Sequence, residues 1–113
     1  MNLICWNCRG LRALRTVQEV AKLVTRFNLL VLFLSETKVK SSKMEWLRSK
    51  WGYDSCLIVE AVGRSGGLAL LWKQEVTVEV QSFSSNHIDA RIDNTTNGDE
   101  WRFTGFYGNP IVS

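Results

Sequence analysis

The 113 residues are enough for one modest domain and too few for two. Hydrophobic residues make up 45% and charged residues 22%, with no low-complexity tract, which excludes a disordered or fibrous chain and fits a soluble globular one. The net charge of +3 permits a phosphate-bearing partner, but the lysines and arginines are scattered, unlike the clustered basic face of a dedicated nucleic-acid coat.

Asn2 to Trp6 reads as a short buried strand and Asn7 to Leu11 as a glycine-bearing loop. Cys5 and Cys8 have the gap of a zinc or redox pair, but no second pair follows; they read as thiols at a strand end in a reducing compartment. The start Met1-Asn2-Leu3-Ile4 lacks the basic region of a secretion signal. Thr16 and Glu19 form a capping-box pattern, and Val17, Val20, Ala21, Val24 and Phe27 then recur at helical spacing up to Asn28. Leu29 to Ser35 suits a strand buried on both faces, and its apolar run is far below the roughly 20 residues of a membrane helix. The expected location is therefore intracellular, nuclear or cytoplasmic, with no membrane partner.

Ser42 and Glu45 form a second capping-box pattern, opening a helix with Met44, Leu47 and Trp51 on one side and Gly52 at its close. Tyr53 to Glu60 reads as a strand, Gly63 to Gly67 as a turn and Leu68 to Trp72 as another strand. Val76, Val78 and Val80 alternate with polar residues, as do Ile88, Ala90 and Ile92. Asn94 to Asp99, with Asn97-Gly98, reads as a turn, and Glu100 to Tyr107 as a last strand. The order predicts an α/β or α+β domain, a mixed sheet with helices packed on it. Of the five tryptophans, Trp6, Trp72 and Trp101 fall in strands and read as core, although tryptophan also offers a stacking surface for nucleic acid.

If the first two strands share a sheet, the helix between them makes a crossover and the strands run parallel. Asn7 and Glu36 then emerge at the same edge, where the carboxyl ends of strands commonly carry ligand sites. An amide and a carboxylate side by side are hard oxygen donors suited to Mg²⁺, which needs one or two protein carboxylates when substrate phosphate supplies the rest. The plain alternative is an asparagine in a loop and a glutamate ending a strand.

Five segments, in order, carry a family resemblance. Cys5-Trp6-Asn7-Cys8-Arg9-Gly10-Leu11 resembles the opening of the endonuclease/exonuclease/phosphatase (DNase-I-like) superfamily as carried by plant LINE-type retrotransposons. Leu34-Ser35-Glu36-Thr37-Lys38 resembles its next motif, and Gly66-Gly67-Leu68-Ala69-Leu70-Leu71-Trp72 its glycine-led strand. Asn86-His87-Ile88-Asp89-Ala90 and Phe103-Thr104-Gly105-Phe106-Tyr107-Gly108-Asn109-Pro110 are similar to two later segments. The resemblance implies half of a four-layer α/β/β/α sandwich spanning residues 1–113, with Glu36 as a metal ligand and Asn7 beside it. It implies catalytic roles for Asn7, Glu36 and Tyr107, the last near the scissile phosphate, with Mg²⁺ or Mn²⁺ as cofactor. Arg9 and Lys38 flank the edge as phosphate candidates.

The family's later elements, Asp-x-Asn and Ser-Asp-His, do not occur in this sequence. Ser85-Asn86-His87 is similar to the second, but it precedes the tyrosine segment, so His87 reads as structural. The expectation is thus a truncated Mg²⁺-dependent phosphodiesterase domain, inactive alone, whose complete form nicks DNA and precedes a reverse transcriptase. The alternatives are a phosphatase of the same fold acting on small phosphoesters and a non-catalytic nucleic-acid-binding remnant. Half a sandwich is also expected to leave one sheet unpaired, with an uncovered apolar face that lowers solubility.

Overall fold

In a computed structural model describing residues 3–61, 66–94, 98–107 and 111–112 (the last two by backbone alone), the strands divide into two sheets. The elements are β1 (Leu3–Asn7), α1 (Leu14–Phe27), β2 (Val31–Ser35), α2 (Ser41–Trp51), β3 (Ser55–Val59), β4 (Leu68–Trp72), β5 (Val76–Phe83), β6 (His87–Asn94), β7 (Glu100–Phe106) and β8 (Ile111–Val112). The first sheet has the order β1-β2-β4-β3 and the second β5-β6-β7-β8. β1 and β2 pair in parallel across the α1 crossover, whereas β4 runs antiparallel to both β2 and β3, giving the expected mixed sheet. The second sheet is antiparallel.

β2 is buried along its whole length because its alternate side chains enter two different cores. Leu32 and Leu34 face the helices, meeting Val17, Val20 and Val24 of α1 and Met44, Leu47 and Trp51 of α2 in one cluster. Val31 and Phe33 face the other way, joining Leu68 and Leu70 of β4 and Ile88, Ala90, Ile92 and Phe103 of the second sheet. Full burial of side chains such as Phe33 and Phe103 stabilises the fold by about 1.5–3 kcal/mol each. Their rings lie 5.2 Å apart at 58°, over Gly105. A Cβ at Gly105 would come within 2.6 Å of the Phe33 ring and 2.7 Å of the Phe103 ring, so a bare backbone lets the sheets meet there.

The layers are therefore helices, first sheet and second sheet. The expected unpaired sheet does not occur among the described residues. The long meander divides, β3 and β4 completing the first sheet while the inward side of β5 to β7 covers it. The outer side of the second sheet is mainly polar, with Arg102 paired to Asp89 and Arg91 to Glu100, each at 2.7 Å, and with Phe106 exposed at its end. The anticipated low solubility loses its basis in a bare apolar sheet.

Neither capping box forms. α1 starts at Leu14 after Ala13, and α2 at Ser41 after Lys40, both without a side-chain cap. Tertiary contacts set these starting points instead. Leu11 is fully buried and its N–H donates to the Thr37 carbonyl, which fixes the approach to α1. At α2, the Ser41 N–H donates to Oε2 of Glu60, beyond the end of β3, at 2.7 Å. The helix ends match their local chemistry, since Asn28 and Gly52 both adopt the left-handed conformation that closes a helix. The turn segments Gly63–Ser65 and Thr95–Asn97, and the Gly108-Asn109-Pro110 stretch, lie outside the described residues.

Candidate active site

Asn7 pairs with Ser35 in the parallel register, so Asn7 and Glu36 leave the sheet at one edge. Adjacent strands lie about 4.8 Å apart, close enough for both side chains to serve one ion. The backbone there is unusual. Four described non-glycine residues have positive φ; one is the helix-closing Asn28, and the others are Arg9 (52°), Glu36 (53°) and Lys38 (55°). Such conformations persist only where neighbouring structure enforces them, and they cluster at functional sites.

The enforcement comes from loops on both sides. The N–H groups of Cys8, Gly10 and Leu11 donate to the carbonyls of Ser35, Glu36 and Thr37, each at 2.8 Å. From the other side, Thr37 and Lys38 donate to the carbonyls of Gly67 and Gly66 at 3.2 and 3.1 Å. Gly67 has φ +94°, and a Cβ on it would lie 2.3 Å from Thr37 Oγ1 and 3.1 Å from the Lys38 nitrogen. The Glu36 loop is thus clamped between the β1–α1 loop and the glycine pair that leads into β4.

The second sheet supplies the remaining side chain. Tyr107 follows β7, and its N–H donates to the Asn86 carbonyl at 2.8 Å. Its hydroxyl donates to Glu36 Oε1, a contact across 71 positions that joins the two sheets at the edge. The bond to the Glu36 carboxylate, helped by partial desolvation, raises the phenol pKa, so the hydroxyl stays a proton donor. Asn7 Oδ1 accepts the Arg9 N–H at 3.2 Å and keeps a second lone pair for another partner. Arg9 is exposed, whereas Lys38 is half-buried, its stem passing Gly10. Cys8 is buried beneath the site. Burial first, and then the Glu36 charge, pushes its thiol up to about 12, so it is no nucleophile at neutral pH.

All five candidate residues therefore come to one edge. The glycine pair, which the sequence marks only as part of a turn, and the Asn86 carbonyl also hold it; nothing local to Asn86 marked its carbonyl as the Tyr107 anchor. His87 lies close by in sequence, yet its ring is engaged by Ser82 Oγ at 3.0 Å and Ser84 Oγ at 2.5 Å, with Phe106 tilted beside it. Among the described residues no group of three or more His, Cys, Asp or Glu side chains could enclose a metal. The edge offers one carboxylate and one amide oxygen, a set that fits a cation such as Mg²⁺ only when water and phosphate complete the shell.

The chain thus packs two sheets together, with helices on one outer face, and brings a carboxylate and an amide to the carboxyl edge of its parallel strands. The chain belongs to the endonuclease/exonuclease/phosphatase family, whose model matches residues 4–111. Among solved structures, an AP endonuclease from Archaeoglobus fulgidus is similar at 22% identity and TM-score 0.59, over 81% of this chain and 37% of that one. The AP endonuclease LMAP from Leishmania major is similar at 15% identity and TM-score 0.62, over 93% and 39%. TDP2 from C. elegans aligns at 18% identity and TM-score 0.50, over 97% and 33%. These identities establish a shared fold, and the chain spans less than two fifths of each neighbour's length. No curated protein sequence matches.

Proposed function

We propose that this chain carries the metal-binding side of a divalent-cation-dependent DNA phosphodiesterase site, of the retrotransposon-endonuclease kind, and that hydrolysis requires groups outside it. The observation behind the reading is the Tyr107–Glu36 hydrogen bond, which brings a proton donor and a carboxylate from different sheets to one edge.

Glu36, through its remaining oxygen, and Asn7, through Oδ1, would hold Mg²⁺ or Mn²⁺. When bound, such an ion neutralises the phosphate and polarises its oxygens. Arg9 and Lys38 stand where they can meet flanking phosphates. Tyr107 keeps its proton at neutral pH and would donate it in a hydrogen bond to a phosphate oxygen bound at this edge. In-line hydrolysis also needs a base for the water and help for the leaving oxygen. Among the described residues Glu36 is the one carboxylate that these contacts bring to the edge, and it would be taken up by the ion. The DNA assignment draws support from the LINE-like form of the motifs and from structural neighbours named as AP endonucleases. A reverse transcriptase in the same parent protein belongs to the same proposal.

Nicking of supercoiled plasmid, with DNA affinity measured alongside, tests the reading. Mn²⁺ should raise the affinity of the wild-type chain for DNA but not that of Glu36→Ala, and neither should nick. Equal Mn²⁺ effects in both would overturn the metal assignment. Nicking by the wild type that Glu36→Ala abolishes would overturn the need for outside groups. Release of phosphate from small monoesters without any effect on DNA would favour a small-phosphoester substrate instead.

A further inference from the structure

A cavity of about 700 Å³ opens beside the catalytic edge, lined by Arg12, Lys38, Lys40, Lys43 and Glu60 among others. Lys38 belongs to both the edge and the cavity, while Lys43 leads out of it. On α2 the Lys43 Nζ lies 4.7 Å from the centre of the Trp46 ring, and Lys50 Nζ lies 4.8 Å from it. Residues 43, 46 and 50 lie at offsets of three and four, one face of a helix. Trp46 is 53% exposed, although tryptophan is usually largely buried.

The charges along this path are unbalanced. Among the described residues Arg12, Lys38, Lys40, Lys43 and Lys50 take part in none of the ion pairs. The nearby carboxylates are turned to other work. Glu60, which also feels the charge of Lys40, receives the Ser41 N–H, and Glu45 is held by Arg48 at 2.9 Å and by the Cys56 thiol at 3.2 Å. The result is a cationic strip leading from the Glu36 edge to an exposed indole between two ammonium groups.

We infer that this strip binds single-stranded DNA leaving the catalytic edge, with an unpaired base stacked on Trp46 and the flanking phosphates on Lys40, Lys43 and Lys50. A cationic groove next to an exposed aromatic ring is the arrangement that binds single strands without reading sequence. Duplex DNA fits the strip poorly, since its bases already stack on one another and offer no free face. An exposed cation–π contact is weaker than a base stack, so a base can displace one ammonium, which then meets the adjoining phosphate. The choice of DNA rests on the proposed function; the binding mode does not require catalysis.

Fluorescence anisotropy with a labelled oligothymidylate tests the inference, using the full chain carrying Glu36→Gln, in EDTA. The expected result is a loss of affinity of at least about fivefold in Trp46→Ala, smaller in Trp46→Phe, and absent for an oligomer of abasic sugar-phosphate. Lys43→Gln with Lys50→Gln should flatten the salt dependence of log K by about 1.4, at ~0.7 for each single-strand phosphate that is no longer neutralised. Circular dichroism establishes that each variant folds, and the lysine pair provides an independent test if Trp46→Ala does not. Unchanged oligothymidylate affinity in Trp46→Ala and in the lysine pair would overturn the inference. So would an equal loss for a blunt duplex, or tighter binding of an acidic peptide than of the oligomer. If single strands bind through Trp46 while metal-dependent binding at Glu36 fails, the proposed function falls and the strip stands.

Discussion

Replacing Gly67 with alanine tests how the Glu36 loop is held. The new Cβ meets a backbone at φ +94°, the Thr37 hydroxyl 2.3 Å away and, less severely, the Lys38 nitrogen at 3.1 Å. A left-handed conformation in an L-residue costs about 1–2 kcal/mol. Forcing a methyl group into a packed site costs about 1–3 kcal/mol. Thr37 is almost fully buried and its Oγ1 has no hydrogen-bond partner among the described residues, so the loop must shift as a unit. The expected loss is about 2–5 kcal/mol, a large part of the roughly 5–15 kcal/mol of a typical domain. With a urea m-value of about 1–3 kcal/mol/M, the unfolding midpoint should fall by at least about 0.7 M. Adding Thr37→Ala removes the obstructing hydroxyl and should recover most of the packing share, leaving the backbone strain and the tight Lys38 nitrogen contact. Urea titration followed by circular dichroism over the four-member double-mutant cycle reads both terms. A Gly67→Ala midpoint within error of wild type, or losses that simply add when Thr37→Ala is combined with it, would refute the clamp.

Gly105→Ala should destabilise by about 1–3 kcal/mol through overpacking against Phe33 and Phe103, measurable by the same titration, and Phe33→Leu in the same chain should restore part of it. Alkaline pH should also destabilise the fold. Burial lifts the Cys5 thiol from 9.0 to about 11 and the Cys8 and Cys56 thiols to about 12, so their contribution is complete below pH 9 and lost as pH rises through the folded values. Thermal melts from pH 8 to 11 should show a falling Tm, less steep in Cys8→Ala; a flat profile would contradict this. Glu60→Gln should lower Tm modestly by weakening the acceptor at the start of α2, with wild-type behaviour at pH low enough to protonate Glu60, since its pKa is lowered chiefly by the Ser41 backbone bond.

Where burial imposes a period, the elements could be read directly from residues. Leu68 to Trp72 is a strand with those ends, and α1 carries the expected apolar stripe and Asn28 closure. The parallel pairing of β1 with β2 followed from a crossover rule, which placed Asn7 beside Glu36. Tyr107 could be placed there only through the family resemblance, because its contact with Glu36 spans 71 positions and no local pattern encodes it. The division of the meander into two sheets was likewise hidden. Alternation marks an inward face but does not say which sheet the strand joins. The helix starts were misplaced for a related reason. Thr16-Glu19 and Ser42-Glu45 offer sound local caps, yet the Leu11–Thr37 and Ser41–Glu60 hydrogen bonds fix where the two helices begin from a distance.

The assignment of Glu36 as a metal ligand is tested most directly by titrating Mn²⁺ into the chain and following the free ion by electron paramagnetic resonance. Wild-type protein should bind one Mn²⁺, more tightly with a phosphodiester oligonucleotide present, and Glu36→Ala should lose this binding while keeping its circular dichroism spectrum. Tyr107→Phe should retain it, because the hydroxyl is a proton donor to the carboxylate and not a ligand. Equal Mn²⁺ binding by wild type and Glu36→Ala would contradict the assignment and leave Asn7, Glu36 and Tyr107 as a purely structural seam between the two sheets.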